Sequence, residues 1–325
     1  MTPRSSRRST AHEPLQAPCR CVLFVPGSRP DRYAKAVASG ADRVCVDLED
    51  AVAPGDKSRA RANVVELLSG GQWDAARSIV RVNHPATEEG EADLAALERA
   101  LASRGARSRP GEVGPSRGPR LTVMVPKCAS RDDLEAVRRA LPAAGPALPA
   151  SGPTLPASGP TLLMIPVVET AAGVARVEEI ATTPSVGALL LGGIDLTTEL
   201  GAALEWDSLL YARSRLVLAA ALAGVRAIDV PFLDTSDAAG LRHEADRVRR
   251  LGFAGKAAIH PDQVDVIQEA FTPSQEEVDR ARRILEAGGG GEGVFLLEGR
   301  MVDRPVVEAA RRIVATSEAD RAHRG

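Results

Sequence analysis

Residues 162–195 read LLMIPVVETAAGVARVEEIATTPSVGALLLGGID. Two short apolar runs, 162–169 and 187–195, flank a stretch at 174–181 whose apolar residues fall at helical spacing. Neither run alternates strictly between apolar and polar, which is how strands buried on both faces of a parallel sheet read. Strand, helix, strand in that order is one β–α–β unit, and each of its runs ends in a carboxylate, Glu169 and Asp195.

The same rhythm extends in both directions. Upstream lie the runs CVLFVP (21–26), RVCVDLE (43–49), SIVRVN (78–83) and LTVMVPK (121–127), and downstream RAIDV (226–230) and GKAAIH (255–260). Amphipathic stretches at 58–68, 131–141, 207–223 and 237–251 separate them, the third stopping at Gly224, a natural C-terminal stop. Eight strands alternating with helices over about 240 residues predict an α/β fold, a (β/α)8 TIM barrel. An open doubly wound sheet shares the alternation, but no GxGxxG fingerprint follows any strand.

Composition narrows the class. The 325 residues are 44% hydrophobic and 26% charged, with a net charge of −2 and only 3% aromatics. Neither the charge nor the scarce rings suit nucleic acid or an acidic membrane as a partner. No apolar stretch approaches the ~18 residues of a membrane span. Cys19 and Cys21 lack the spacing of a zinc or redox site, and Cys45 and Cys128 sit in apolar runs as buried thiols, which fits a reducing cytoplasm. Residues 1–18 read as a disordered tail rather than a mitochondrial transit peptide, because no amphipathic pattern develops around Arg4, Arg7 and Arg8. The catalytic barrel is expected over 19–287, with flexible insertions at 103–120, dense in Gly, Pro, Ser and Arg, and at 141–161, a thrice-repeated LPAxGPx. A C-terminal segment, 288–325, follows the helix pattern at 276–287.

Active sites of such barrels lie at the C-terminal ends of the strands. Glu49, Asp50, Arg81, Asn83, Lys127, Glu169, Asp195, Asp229 and His260 all stand at such ends. Each has a plainer reading as a helix cap or a solvated loop residue, Asp50 and Asp195 above all. Their convergence on one face argues for a site, since carboxylates gathered without purpose are costly neighbours. Glu169 and Asp195, on adjacent strands, offer two hard oxygen ligands, a set suited to Mg²⁺ completed by water and substrate and unsuited to zinc. Arg81 is placed to hold a substrate carboxylate through its planar fork.

The motifs LFVPGSRP (23–30), DLEDAV (47–52), RVN (81–83), VPK (125–127), ET (169–170), GGIDL (192–196) and GKAAIHP (255–261) occur in order at successive strand ends. Together they resemble the HpcH/HpaI aldolase and citrate lyase β-subunit-like superfamily, over residues from about 20 to 316. The resemblance implies an oligomeric TIM barrel, a trimer or hexamer, with Mg²⁺ on Glu169 and Asp195, waters on that metal held by Glu49 and Asp50, and an oxoacid on Arg81. It places Phe24, Lys35, Ile259 and His260 where relatives contact substrate or coenzyme A. The segment VFLLEGRMVDRPVVEAARRIV (294–314) resembles the C-terminal lid of malyl-CoA and citramalyl-CoA lyases, in which the residue matching Asp303 enters a neighbouring subunit's site as general acid/base. As a plain sequence feature, Asp303 is a turn residue ahead of Pro305.

The expected activity is therefore Mg²⁺-dependent cleavage of a 3-hydroxyacyl-CoA thioester to an acyl-CoA and a 2-oxoacid, or the reverse condensation. Three readings compete: a citrate lyase β subunit acting on an acyl-carrier thioester, a Schiff-base aldolase using Lys127, and a non-catalytic degenerate barrel. The second leaves Glu169 and Asp195 without a task, and the third leaves Arg81 and Asp303 unexplained as well.

Overall fold

The computed structural model describes residues 19–107, 121–142, 162–288 and 294–324. Eight strands appear where the apolar runs predict them: β1 (Cys21–Pro26), β2 (Arg43–Asp47), β3 (Ser78–Arg81), β4 (Leu121–Val125), β5 (Leu162–Val168), β6 (Ala188–Leu191), β7 (Arg226–Asp229) and β8 (Gly255–Ala258). They pair in parallel in chain order, and β8 closes on β1 through Lys256 opposite Cys21, so the sheet is a closed barrel. Around it run α1 (Pro30–Ala38), α2 (Lys57–Ser69), α3 (Glu88–Arg107), α4 (Arg131–Ala140), α5 (Ala171–Ala175), α6 (Val177–Ala181), α7 (Gly193–Leu200), α8 (Trp206–Ala223), α9 (Ala238–Leu251) and α10 (Gln263–Phe271). The barrel interior is closed by Val22, Cys45, Ile79, Met124, Ile165 and Ile228, among others. Because side chains alternate along a strand, these inward positions decide which later residues reach the mouth: Phe24 and Asp47 two beyond Val22 and Cys45, Arg81 two beyond Ile79, and Glu169 four beyond Ile165.

The chain divides into two compact units, Met1–Ile267 and Gln268–Gly325. In the second, α11 (Gln275–Ala287) packs on α12 (Arg304–Arg324) around Ala281, Ile284, Val302 and Ala310, with an antiparallel pair, β9 (Phe295–Leu297) and β10 (Arg300–Val302). Ser274 and Glu277 form a capping box that starts α11.

Several expectations need correction. Residues 103–107, expected to begin a flexible insertion, finish α3. The buried Leu94, Leu97 and Leu101 carry the helical repeat up to that point, and it outweighs the Ser–Arg–Gly composition. Residues 108–120 of that insertion, 143–161 of the second, the tail at 1–18 and the glycines at 289–291 lie outside the described residues. The single helix expected at 174–181 is two short ones, broken at Arg176, with Thr170 capping the first by accepting from the Gly173 N–H. Asp195 does not end a strand: β6 stops at Leu191, and Asp195 stands in the first turn of α7. All four cysteines are buried free thiols.

Candidate active site

Arg81 ends β3 at the barrel mouth. Its Nε and Nη2 donate to the two carboxylate oxygens of the fully buried Asp47, at 2.8 and 2.6 Å. This bidentate pair clamps one edge of the guanidinium and leaves the Nη1–Nη2 edge. The Phe24 ring lies 5.2 Å from the Arg81 Cζ, a cation–π contact that fixes the plane of the fork. Glu49 Oε2 lies 2.8 Å from Arg81 Nη1, yet off the hydrogen-bond direction, so this buried oxygen makes no hydrogen bond.

Of the carboxylates at the mouth, Glu49 adjoins this cation, and Asp50, Glu169 and Asp195 gather about Lys127. Lys57 holds the backbone of the first by donating to the carbonyls of Leu48 and Glu49 at 2.8 and 2.7 Å. Glu169 follows β5 directly, and its Oε1 accepts the Lys127 N–H at 2.6 Å. A Cβ on Gly192 would overlap Glu169 Oε2 and Cβ, so only glycine at this position lets the carboxylate lie against the chain leaving β6. Lys127 Nζ stands 2.5 Å from Glu49 Oε1, 3.3 Å from Asp195 Oδ2 and 3.8 Å from Asp50 Oδ2. Burial pushes the Glu169 carboxyl up to about 7; the Lys127 N–H opposes that, and the charges of Glu49 and Asp195 reinforce it. Burial raises Glu49 as well, against the pull of Arg81. Burial works against the charge of Lys127, but Glu49 and its acidic neighbours hold the ammonium well above its ordinary range. A lysine kept protonated in this way is a poor Schiff-base nucleophile.

A divalent cation fits these residues. Buried carboxylates outnumber the two cations facing them, and one buried oxygen is without a hydrogen bond. Among the described residues no three His, Cys, Asp or Glu side chains form a complete metal cage. Two carboxylates with the remaining oxygens from water and substrate suit Mg²⁺, which dehydrates reluctantly.

The other expected residues are placed less centrally. Ile259, 42% exposed, and His260 follow β8, and the Oε1 of the buried Gln263 accepts from both of their N–H groups. Gln263 Nε2 donates to the Phe232 carbonyl, so it ties the loops after β7 and β8 together. Lys35 is exposed on α1, and among the described residues no hydrogen bond or ion pair joins its side chain to the cluster. Asn83 serves the scaffold, donating to Leu48 O and Asp93. Asp303, in the second unit, caps α12: its Oδ1 accepts from Val306 N at 3.2 Å, as its plain reading ahead of Pro305 suggested.

Asp229 does not join the site. It follows the inward Ile228, so it faces outward, where Arg213 grips both its oxygens and the fully buried Lys256 donates to it at 2.7 Å. Lys256 and Arg213 hold its carboxyl below the ordinary range despite complete burial. Asp47 was the functional residue that pattern reading passed over, although it stands two positions before Glu49 on the inward face of β2.

Comparison with known proteins gives the family of the chain. The family model described as HpcH/HpaI aldolase/citrate lyase matches residues 20–103 and 116–261, and one described as a C–C bond lyase of the TIM-barrel fold matches 210–320. The chain belongs to the HpcH/HpaI aldolase/citrate lyase family. An L-malyl-CoA/β-methylmalyl-CoA lyase of Cereibacter sphaeroides is 37% identical over 94% of this chain and 96% of its own length. A (3S)-malyl-CoA thioesterase of the same organism is 33% identical over 94% and 97%. The crystal structure of CitE from Mycobacterium tuberculosis in complex with magnesium, acetoacetate and coenzyme A is 31% identical with a TM-score of 0.72, covering 93% of this chain and 99% of that one.

Proposed function

We propose that the protein is a Mg²⁺-dependent carbon–carbon lyase acting on a 3-hydroxyacyl-CoA thioester of the malyl-CoA or citramalyl-CoA type, releasing an acyl-CoA and a 2-oxoacid, with the condensation as its reverse. The observation that carries this reading is the half-clamped guanidinium of Arg81 beside Glu49, which Lys127 links to Asp50, Glu169 and Asp195. A fork with one edge immobilised and the other turned to a carboxylate cluster is built to orient a small anionic oxoacid next to a divalent cation. A coenzyme A thioester is favoured over an acyl-carrier thioester by the malyl-CoA lyase similarity along nearly the whole chain and by the coenzyme A in the CitE complex.

Glu169 and Asp195 would hold the Mg²⁺, with Glu49 and Asp50 on its waters; the ion supplies Lewis-acid polarisation of the substrate oxygen. Arg81 binds and neutralises the oxoacid carboxylate, and Phe24 keeps the fork in plane. Ile259, His260 and Lys35 line the approach for the rest of the substrate. In cleavage, the bond between the hydroxyl-bearing carbon and the carbon next to the thioester breaks. The hydroxyl gives its proton to solvent water and becomes the oxoacid carbonyl, while the bonding pair passes to the thioester enolate. Asp303 of a neighbouring subunit protonates that enolate on carbon, or removes the same proton in condensation. The neighbour's C-terminal segment, 288–325, acts as the lid that excludes water from this step. The reading carries with it a cytoplasmic homo-oligomer, a trimer or hexamer.

Arg81→Lys tests the assignment. The variant keeps the charge but loses both the Asp47 clamp and the free fork, so kcat/KM for cleavage should fall about a hundredfold or more. Binding of coenzyme A alone should stay unchanged. An undiminished kcat/KM would remove Arg81 from the reaction.

A further inference from the structure

Lys127 has a φ of 50°, in the left-handed region that side-chain-bearing residues seldom occupy. Its N–H, donated to Glu169 Oε1, holds that conformation, and the turn carries Nζ to within 2.5 Å of Glu49, 3.3 Å of Asp195 and 3.8 Å of Asp50. One residue thus meets four carboxylates, three through its ammonium and the fourth through its backbone. Arg81 reaches one of the four, Glu49 at 2.8 Å, and its clamped edge is committed to Asp47; among the described residues no ion pair joins it to Asp50, Glu169 or Asp195.

We propose that Lys127 is a tethered counter-cation of the metal site, whose ammonium holds Glu49, Asp50 and Asp195 together in the metal-free protein and which Mg²⁺ displaces from Asp195 on binding. The inference rests on the reading above that Glu169 and Asp195 carry the metal. An isolated, partly exposed Lys–carboxylate pair contributes little, and Lys127 is 42% exposed. Here, however, one cation serves several carboxylates, and a strained backbone maintains its position. A monovalent and a divalent cation on the same Asp195 repel each other strongly at this range. Lys127 therefore lowers metal affinity while it stabilises the empty site. It is a positioning residue rather than a catalytic one: it acts by setting how readily the cation enters and leaves.

The test is a Mn²⁺ titration, followed by the loss of the free-ion EPR signal, on the full-length wild type, Lys127→Met, Lys127→Arg and Glu169→Gln. Lys127→Met should bind Mn²⁺ about tenfold more tightly than wild type. Without metal it should melt lower, and Mn²⁺ should raise its Tm by more. Lys127→Arg, which keeps the charge, should stay within about threefold of wild type. Lys127→Gln provides the same comparison if the Met variant does not fold. Wild-type-like or weaker binding in a folded, charge-free variant would overturn the inference alone. Absence of Mn²⁺ binding in wild type, or binding untouched by Glu169→Gln, would overturn the metal assignment and the inference with it.

Discussion

Glu169 sits where its own charge is costly. It is buried, adjoins Glu49 and Asp195, and its carboxyl is pushed from an ordinary 4.5 to about 7. A folded-state pKa above the unfolded value means that the folded chain binds this proton more tightly. The resulting stability is complete below about pH 4.5 and is lost as the pH rises through about 7. Mg²⁺ takes only the ionised carboxylate, so below pH 7 its apparent affinity should fall by up to about tenfold per pH unit. Calorimetric Mg²⁺ titration between about pH 5.5 and 8 measures this slope. Glu169→Gln should abolish the slope and most of the binding and lower turnover on the order of 10³-fold. Its far-UV circular dichroism should match wild type, and its melting should no longer carry the loss of stability through pH 7. Retained, pH-independent Mg²⁺ affinity in this variant would place the metal elsewhere. Strand alternation gives Arg81 and Glu169 inward positions, and the structure sets both at the mouth. Pattern reading misplaced Asp229, for a strand end misjudged by one residue turns a side chain from the mouth to the helix layer. The partner of an arginine is harder to read than the arginine: Asp47 shares the inward face of β2 with Cys45, but nothing in the sequence says that it pairs with Arg81.

Among the elements, strand starts were readable from apolar runs and strand ends were not. The runs predicted at 43–49 and 187–195 end in the structure at Asp47 and Leu191. The difference matters most after β6, where Gly192 and Gly193 turn the chain at once into α7 and set Asp195 on its first turn. Asp195 is the third residue of α7 and does not cap it: Gly192 holds the cap position with no side-chain cap hydrogen bond, so the plain reading of Asp195 as a cap does not hold. Gly192 is the hinge of that arrangement, since any side chain there collides with Glu169. Gly192→Ala should destabilise the fold by about 1–3 kcal/mol, the usual cost of overpacking, and also weaken metal binding by displacing Glu169. Paired thermal-melt and metal-binding measurements check this, and a melting loss with wild-type metal affinity would show that Glu169 is not held by this contact. The network of Arg213 on α8, Asp229 on β7, Lys256 on β8 and Glu244 on α9 lies away from this segment, and breaking it belongs to stability rather than turnover.

For the whole molecule, the eightfold strand–helix rhythm made the barrel readable, whereas the division of the chain at Ile267 was not: α11 continues the amphipathic pattern of the barrel helices but packs with α12. Asp303 belongs to that second unit, where it caps α12. Asn caps as well as Asp, so Asp303→Asn separates the cap from proton transfer. If Asp303 serves the site of a neighbouring subunit, Asp303→Asn and Arg81→Ala homomers should each be nearly inactive. Co-refolded mixtures should recover activity, since some sites would combine an intact Arg81 with an intact Asp303. No recovery, with subunit exchange verified by differently tagged chains, would assign Asp303 to its own subunit or remove it from the reaction.

The central claim is that this barrel breaks a carbon–carbon bond with a divalent cation at Glu169 and Asp195. Malyl-, β-methylmalyl- and citramalyl-CoA incubated with chelator-stripped protein, with and without Mg²⁺, and resolved by product test it most directly. The account predicts acyl-CoA and a 2-oxoacid in equal amounts, formed from at least one of the three and only when Mg²⁺ is returned. Free coenzyme A and an intact hydroxyacid as the sole products, or cleavage that survives without the metal, would contradict it.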